Sequence, residues 1–153
     1  MKKSSETGKR QLPMSAASLL PHKPPMQLID SLDRREGEMA EASALLIKDG
    51  LCMDGDHILP EYYIELIAQT AAAASGYDAL AAGGGIMEGM LVGIDDFKIQ
   101  AVAVPGSPVS IHTERQFHFG PVSVIRGKIL SGKKLIAEGV IKVWEKPEDG
   151  DEG

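Results

Sequence analysis

Four side chains in this sequence have the types and settings that acid–base chemistry asks for: Glu65, Gln69, His22 and His57. Glu65 and Gln69 lie in PEYYIELIAQTAAAASGYDALAA, from Pro60 to about Ala82. Apart from the tyrosines, the only polar side chains between Tyr62 and Ala74 are Glu65, Gln69 and Thr70. Their spacing of four puts the carboxyl and the amide on one helix face. A carboxylate on so apolar a helix must be partnered, shifted in pKa or turned to a cleft. A catalytic carboxyl with an amide beside it satisfies that demand. The bland alternative is a thin solvated stripe. His22 stands in LLPHKPPMQLID, where Pro21, Pro24 and Pro25 hold the backbone extended and leave it little freedom to lose. Such preorganisation suits a group that moves a proton, and it equally suits a hydrogen-bonded strut fixing the first strand. His57 follows Asp54-Gly55-Asp56, a turn-prone acidic stretch, and is much nearer Glu65 along the chain.

The element that positions Glu65 reads as one long helix, apolar almost all round and therefore buried. Pro60 suits its first turn, where a missing N–H costs nothing. The alanine run favours helix and lets a sheet approach closely. Gly83-Gly84-Gly85 ends it. Before it, Ser15–Leu20 reads as a short helical turn that Pro21 stops. A strand is expected from about Met26, a turn at Arg34–Gly37 and a partner strand over Glu38–Ile47, with Asp49–Leu59 as a loop into the helix. After it, Met90–Phe97, Val109–Phe119, Val122–Leu130 and Lys134–Trp144 read as strands. The turn dipeptides Pro105-Gly106, Gly120-Pro121 and Ser131-Gly132 punctuate them, and the last two predict antiparallel hairpins. A curved antiparallel sheet wrapped round one buried helix, an α+β fold, follows from that order.

Length and composition bound the function. The 153 residues fit a single domain with a real core. Residues 12–146 are expected to form it, between a disordered basic tail at 1–11 and an acidic tail at 147–153. A net charge of −6 without a basic patch argues against nucleic acid. No apolar run is long enough to span a membrane, and no signal-peptide core follows the basic start, so a cytoplasmic protein is expected. Cys52 is the only cysteine, which excludes an internal disulfide and a thiolate-rich metal site. His112 and His118 stand six residues apart, about 20 Å along a strand, too far to share a metal. Gly83–Gly85 follows a helix rather than leading into one, so it is no phosphate loop. No cofactor or metal is expected.

Three stretches, in order, resemble the β-hydroxyacyl-ACP dehydratases of type II fatty-acid synthesis, above all the divergent branch found with aryl polyene biosynthesis. They are LPHKPPMQLID, IELIAQTAAA and GMLVGIDDFKI followed by VPGSPVSI, and together they cover most of Leu20–Trp144. The resemblance implies a hotdog fold and a dimer, with sheets paired edge to edge and a tunnel between the subunits for a pantetheine arm. The expected substrate is a 3-hydroxyacyl thioester carried on acyl carrier protein or coenzyme A. The partner subunit is expected to be a second copy, in a homodimer or higher oligomer, or a different chain in a heterodimer.

In that family a helix carboxylate and a histidine eliminate water. Glu65 matches the carboxylate and Gln69 the amide one turn later. Elimination needs an acid for the poor β-hydroxyl leaving group and a base for the α-proton. An apolar tunnel keeps a carboxyl protonated, and N–H groups at the helix start, near Pro60, can receive the thioester oxyanion. Tyr62 and Tyr63 are candidates for the tunnel mouth, with packing as the default. The family's G-H-F-P histidine has no full match, because the loop here reads DGDHILPEYYIE and is shorter. The base is therefore His22 redirected, His57 in a remodelled loop, or absent. Absence would make the chain a silent subunit beside an active dehydratase. A hotdog thioesterase, using the carboxylate to activate water, is the other rival.

Overall fold

The computed structural model describes residues 11–147. The tails expected at 1–11 and 147–153 lie outside it except for Gln11, which is exposed, and Pro147, which ends the last strand. A two-residue strand β1 (Met14–Ser15) leads into a 3-10 turn (Ala16–Ser18), whose first turn is capped by the Ser15 hydroxyl accepting from the Ala17 N–H. There follow β2 (Ser31–Glu36) and β3 (Met39–Leu45), a small hairpin β4 (Met53–Asp54) and β5 (His57–Ile58), then α1 (Pro60–Ala81). The chain finishes with β6 (Met87–Ile99), β7 (Pro108–Phe119), β8 (Val122–Ser131) and β9 (Lys134–Pro147).

Seven strands make one antiparallel sheet in the order β1-β2-β3-β7-β8-β9-β6, and β4-β5 stands apart. The single helix touches β2, β3, β6, β7, β8 and β9, which requires the sheet to curl around it. Leu66 and Ile67 are completely buried at the centre, each contributing roughly 1.5–3 kcal/mol of apolar burial. Close approach is bought with small residues. Gly127 of β8 sits beneath Ile67, where a Cβ would collide with its side chain, and Gly76 of α1 lies against the Leu19 carbonyl. On β3 the inward face is Ala40, Ala42 and Ala44, all buried, while Met39 and Leu45 point outward.

Three expectations are corrected. The segment from Met26 to Asp30 is not strand; the Met26 carbonyl and the Leu28 N–H bond the Gln69 side chain instead of a ladder, and β2 starts only at Ser31. Arg34, Arg35 and Glu36 stay in β2, and the turn falls at Gly37 with φ 58° and Glu38. The loop before the helix folds back on itself as β4-β5. The helix ends where the glycines stand: Gly83 has φ 87° and the Gly84 N–H returns to the Ala79 carbonyl at 2.7 Å.

β6 differs from every other long strand. It pairs with β9 alone, so its outer edge is open. Met90, Val92 and Ile94 are 60, 53 and 45% exposed, and Leu91 on the alternate face is 37% exposed.

Candidate active site

Glu65 and Gln69 do share one face of α1, and the amide is the better buried of the two, at 1% exposure. Its nitrogen donates to the Glu65 Oε2 at 3.1 Å and to the Met26 carbonyl at 2.7 Å. Its oxygen accepts the Leu28 N–H at 2.8 Å. One buried side chain thus orients the carboxyl and clasps the proline-rich segment to the helix. That clasp brings His22 to Glu65: Nε2 lies 3.7 Å from Oε2. The gap is just beyond a direct hydrogen bond and short enough for a slight closure or a substrate atom to bridge. His22 Nδ1 is buried and has no hydrogen-bond partner among the described residues.

The two side chains keep 31 and 40% of their accessibility, so a ligand can reach them. They line a cleft of about 60 Å³, with Ala68 and Ala72 of α1 on one wall, Met90 and Leu91 of β6 on another and Val143 of β9 at the back. The alanines that favour the helix are here the space along which something slender can lie.

His57 is brought elsewhere. It starts β5 and lines a separate hollow of about 640 Å³ with Tyr63 and the 99–105 segment, which has no lining residue in common with the His22–Glu65 cleft. Tyr63 is 3% exposed, and loss of water pushes its phenol above the ordinary tyrosine value. Tyr62, a candidate for the tunnel mouth, turns into the core instead. It is 1% exposed, its oxygen accepts the Ile47 N–H at 3.0 Å, and it lines neither hollow. Burial raises its pKa, partly offset by that hydrogen bond. Pro60 opens α1 and is exposed; Leu59 caps the helix without a side-chain hydrogen bond.

Among the described residues no cluster of histidine, cysteine and carboxylate groups is arranged for a metal ion. His112 is engaged by Ser110 at 3.1 Å and faces Glu41 at 3.4 Å. Sequence reasoning missed Glu145, the last acidic group of β9, which also lines the cleft. Burial is the main cause lifting its carboxyl above the usual carboxylate range, against a hydrogen bond from Ser75 and the nearby guanidiniums of Arg115 and Arg35. Nothing local in VWEKPEDG marks that carboxylate from its neighbours.

The architecture has relatives among solved structures. The dehydratase heterocomplex ApeI:P from Xenorhabdus doucetiae matches with a TM-score of 0.79 at 21% identity, over 91% of this chain and 94% of that one. An uncharacterised protein from Pyrococcus horikoshii gives 0.60 at 12% identity, over 88 and 94% of the two chains. A hypothetical thioesterase from Streptococcus pneumoniae, solved with coenzyme A, gives 0.58 at 8% identity, over 78 and 87%. No curated protein sequence matches this one. With one long helix held in a curled antiparallel sheet, the fold is the hotdog fold. The family model for ApeP-like proteins, described as ApeP dehydratase, matches residues 14–152, and the chain belongs to that dehydratase family.

Proposed function

We propose that this protein removes water from 3-hydroxyacyl thioesters to give 2-enoyl thioesters, with His22 and Glu65 as the proton-transferring pair. The observation that carries this reading is the 3.7 Å approach of His22 Nε2 to Glu65 Oε2 within one accessible cleft. Membership of the dehydratase family supports the reaction class.

The chemistry closes on these two groups. His22 takes the α-proton at Nε2 while the carboxylic-acid form of Glu65 gives its proton to the departing β-hydroxyl. The electron pair of the Cα–H bond becomes the new double bond, the C–O bond breaks and water leaves. The site is then imidazolium and carboxylate, and one proton passing from His22 back to Glu65 restores it. Gln69 holds the carboxyl so that this transfer has one geometry rather than many. The start of α1 carries no side-chain cap, and its positive dipole end favours negative charge, although the Tyr62 N–H already donates to the Leu59 carbonyl at 3.0 Å. Tyr63 and His57, in the second hollow, are assigned to the path of the pantetheine arm, from acyl carrier protein or coenzyme A.

The open β6 edge supports assembly with a second chain across it. That partner is a second copy or a different subunit; the similar Xenorhabdus structure is a heterocomplex.

Mass spectrometry of purified protein with a panel of 3-hydroxyacyl carrier-protein thioesters tests the proposal. Loss of one water from the bound acyl group is expected. Release of free thiol and hydroxy acid would make the protein a thioesterase. An unchanged acyl group, alone and with a co-purified dehydratase subunit lacking its own acid or base, would remove catalysis from His22 and Glu65.

A further inference from the structure

The His22–Glu65 cleft follows one stripe of α1. Glu65, Ala68 and Ala72 line it, at spacings of three and four, and Ser75 is the next residue of that stripe. The opposite wall includes two cross-strand pairs of β9 and β6, Val143 with Leu91 and then Glu145 with Gly89. Between Glu65 and Ala72 the helix rises about 10 Å.

At Ser75 the run stops. The Ser75 hydroxyl donates to the Glu145 carboxyl, so a side chain of β9 is tied to α1 across the line of the cleft. A second, separate hollow of about 20 Å³ is bordered by Ser75, Thr113, Arg35 and Arg115. Glu145 is the one residue that lines both spaces, and it is therefore the partition between them. The nearby guanidiniums of Arg115 and Arg35 attract its carboxyl from the side of the small hollow. Each of them is itself fixed, Arg115 Nε to Glu38 at 2.7 Å and Arg35 Nη2 to Asp78 at 2.6 Å.

We infer that Glu145, tied to Ser75, is the end stop of the acyl cleft and sets the longest acyl chain the cleft takes. The inference rests on the acyl-thioester reading above. With the reacting carbons between His22 and Glu65, the tail lies along Ala68 and Ala72 and then meets Glu145. A longer tail must push this half-buried carboxyl off its hydrogen bond, or press a methyl group against it and strip its remaining water. Either course leaves a polar group without a partner, which is costly. A shorter tail does neither. Gly89, opposite Glu145, adds no side chain to the barrier, so the stop can be removed at one position.

The test is calorimetry of the full-length protein with non-hydrolysable pantetheine amides of saturated acids, lengthened in two-carbon steps, so that turnover plays no part. In wild type, affinity is expected to rise with length and then to fall about tenfold or more at the first chain that reaches Glu145. Glu145→Ala is expected to move that break to chains longer by about two carbons or more, the reach of the carboxyl removed. Glu145→Gln, which can keep the tie to Ser75, leaves the break in place. Ala72→Leu, which fills the cleft ahead of the stop, moves it to shorter chains. Should Glu145→Ala fail to fold, Ser75→Ala unties the carboxyl and is expected to restore affinity for the chain just past the break. A wild-type affinity that climbs without a break overturns the stop, and so does a break that neither Glu145→Ala nor Ser75→Ala moves; binding of the shorter amides would then leave the acyl-thioester reading standing. Binding of no amide at any length overturns the stop together with that reading.

Discussion

Gln69 does more at the residue scale than its neighbour Glu65 can do without it. Three of its hydrogen bonds reach Glu65, Met26 and Leu28, so Gln69→Ala leaves backbone groups of the proline-rich segment unsatisfied. We expect a loss of about 2–5 kcal/mol in urea unfolding, with a fall in turnover smaller than removal of the Glu65 acid would cause. Unchanged stability would mean the segment is held by its prolines and not by the clasp. Glu145 gives a pH signature. Burial is the largest cause of its raised folded pKa, above the ordinary 4.5. Below that value the group is protonated folded and unfolded alike. As pH climbs through the window above it, the unfolded chain releases a proton that the folded chain keeps, and stability falls. Relative to Glu145→Gln, wild type is therefore expected to lose stability as pH rises from about 4.5 towards the raised value; parallel stability profiles would show that the carboxyl is solvated. The types and spacing of Glu65, Gln69 and His22 are visible in the sequence. The clasp is not, because its backbone partners lie 41 and 43 residues away and carry no side-chain signal.

Among the elements, α1 was the easiest to read. Pro60 begins it, the glycines from Gly83 end it, and its apolar circumference has nowhere to go but inside. β3 was harder, since its inward face is three alanines and its larger Met39 and Leu45 point outward, so side-chain size there misleads about direction. The Met26–Asp30 segment misled by alternation: Met26 and Leu28 mimic a strand, yet the backbone bonds go to Gln69. The contact of helix with sheet sets a sharp test. A Cβ at Gly127 meets the side chain of Ile67 at the centre of the core. Gly127→Val is expected to destabilise by about 1–3 kcal/mol or more through overpacking, lowering the urea midpoint with the slope unchanged. A neutral outcome would mean that α1 rides higher above β8 than the glycine implies.

For the whole molecule, the open β6 edge and its exposed Met90, Val92 and Ile94 demand a partner, because a long apolar edge strand is an aggregation hazard when bare. Light scattering at micromolar concentration should show at least a dimer, and Val92→Lys should shift it towards monomer. A stable wild-type monomer would leave that edge to a different subunit. No helix among the described residues is long and apolar enough to cross a membrane. The most direct test of the account is single-turnover mass spectrometry of wild type, Glu65→Gln and His22→Ala with one 3-hydroxyacyl carrier-protein thioester, each variant checked for native circular dichroism. Wild type should convert the acyl group to the enoyl form, and each variant should slow that step by at least about a hundredfold. Dehydration within a fewfold of wild type in either variant would contradict the assignment of His22 and Glu65 as the reacting pair.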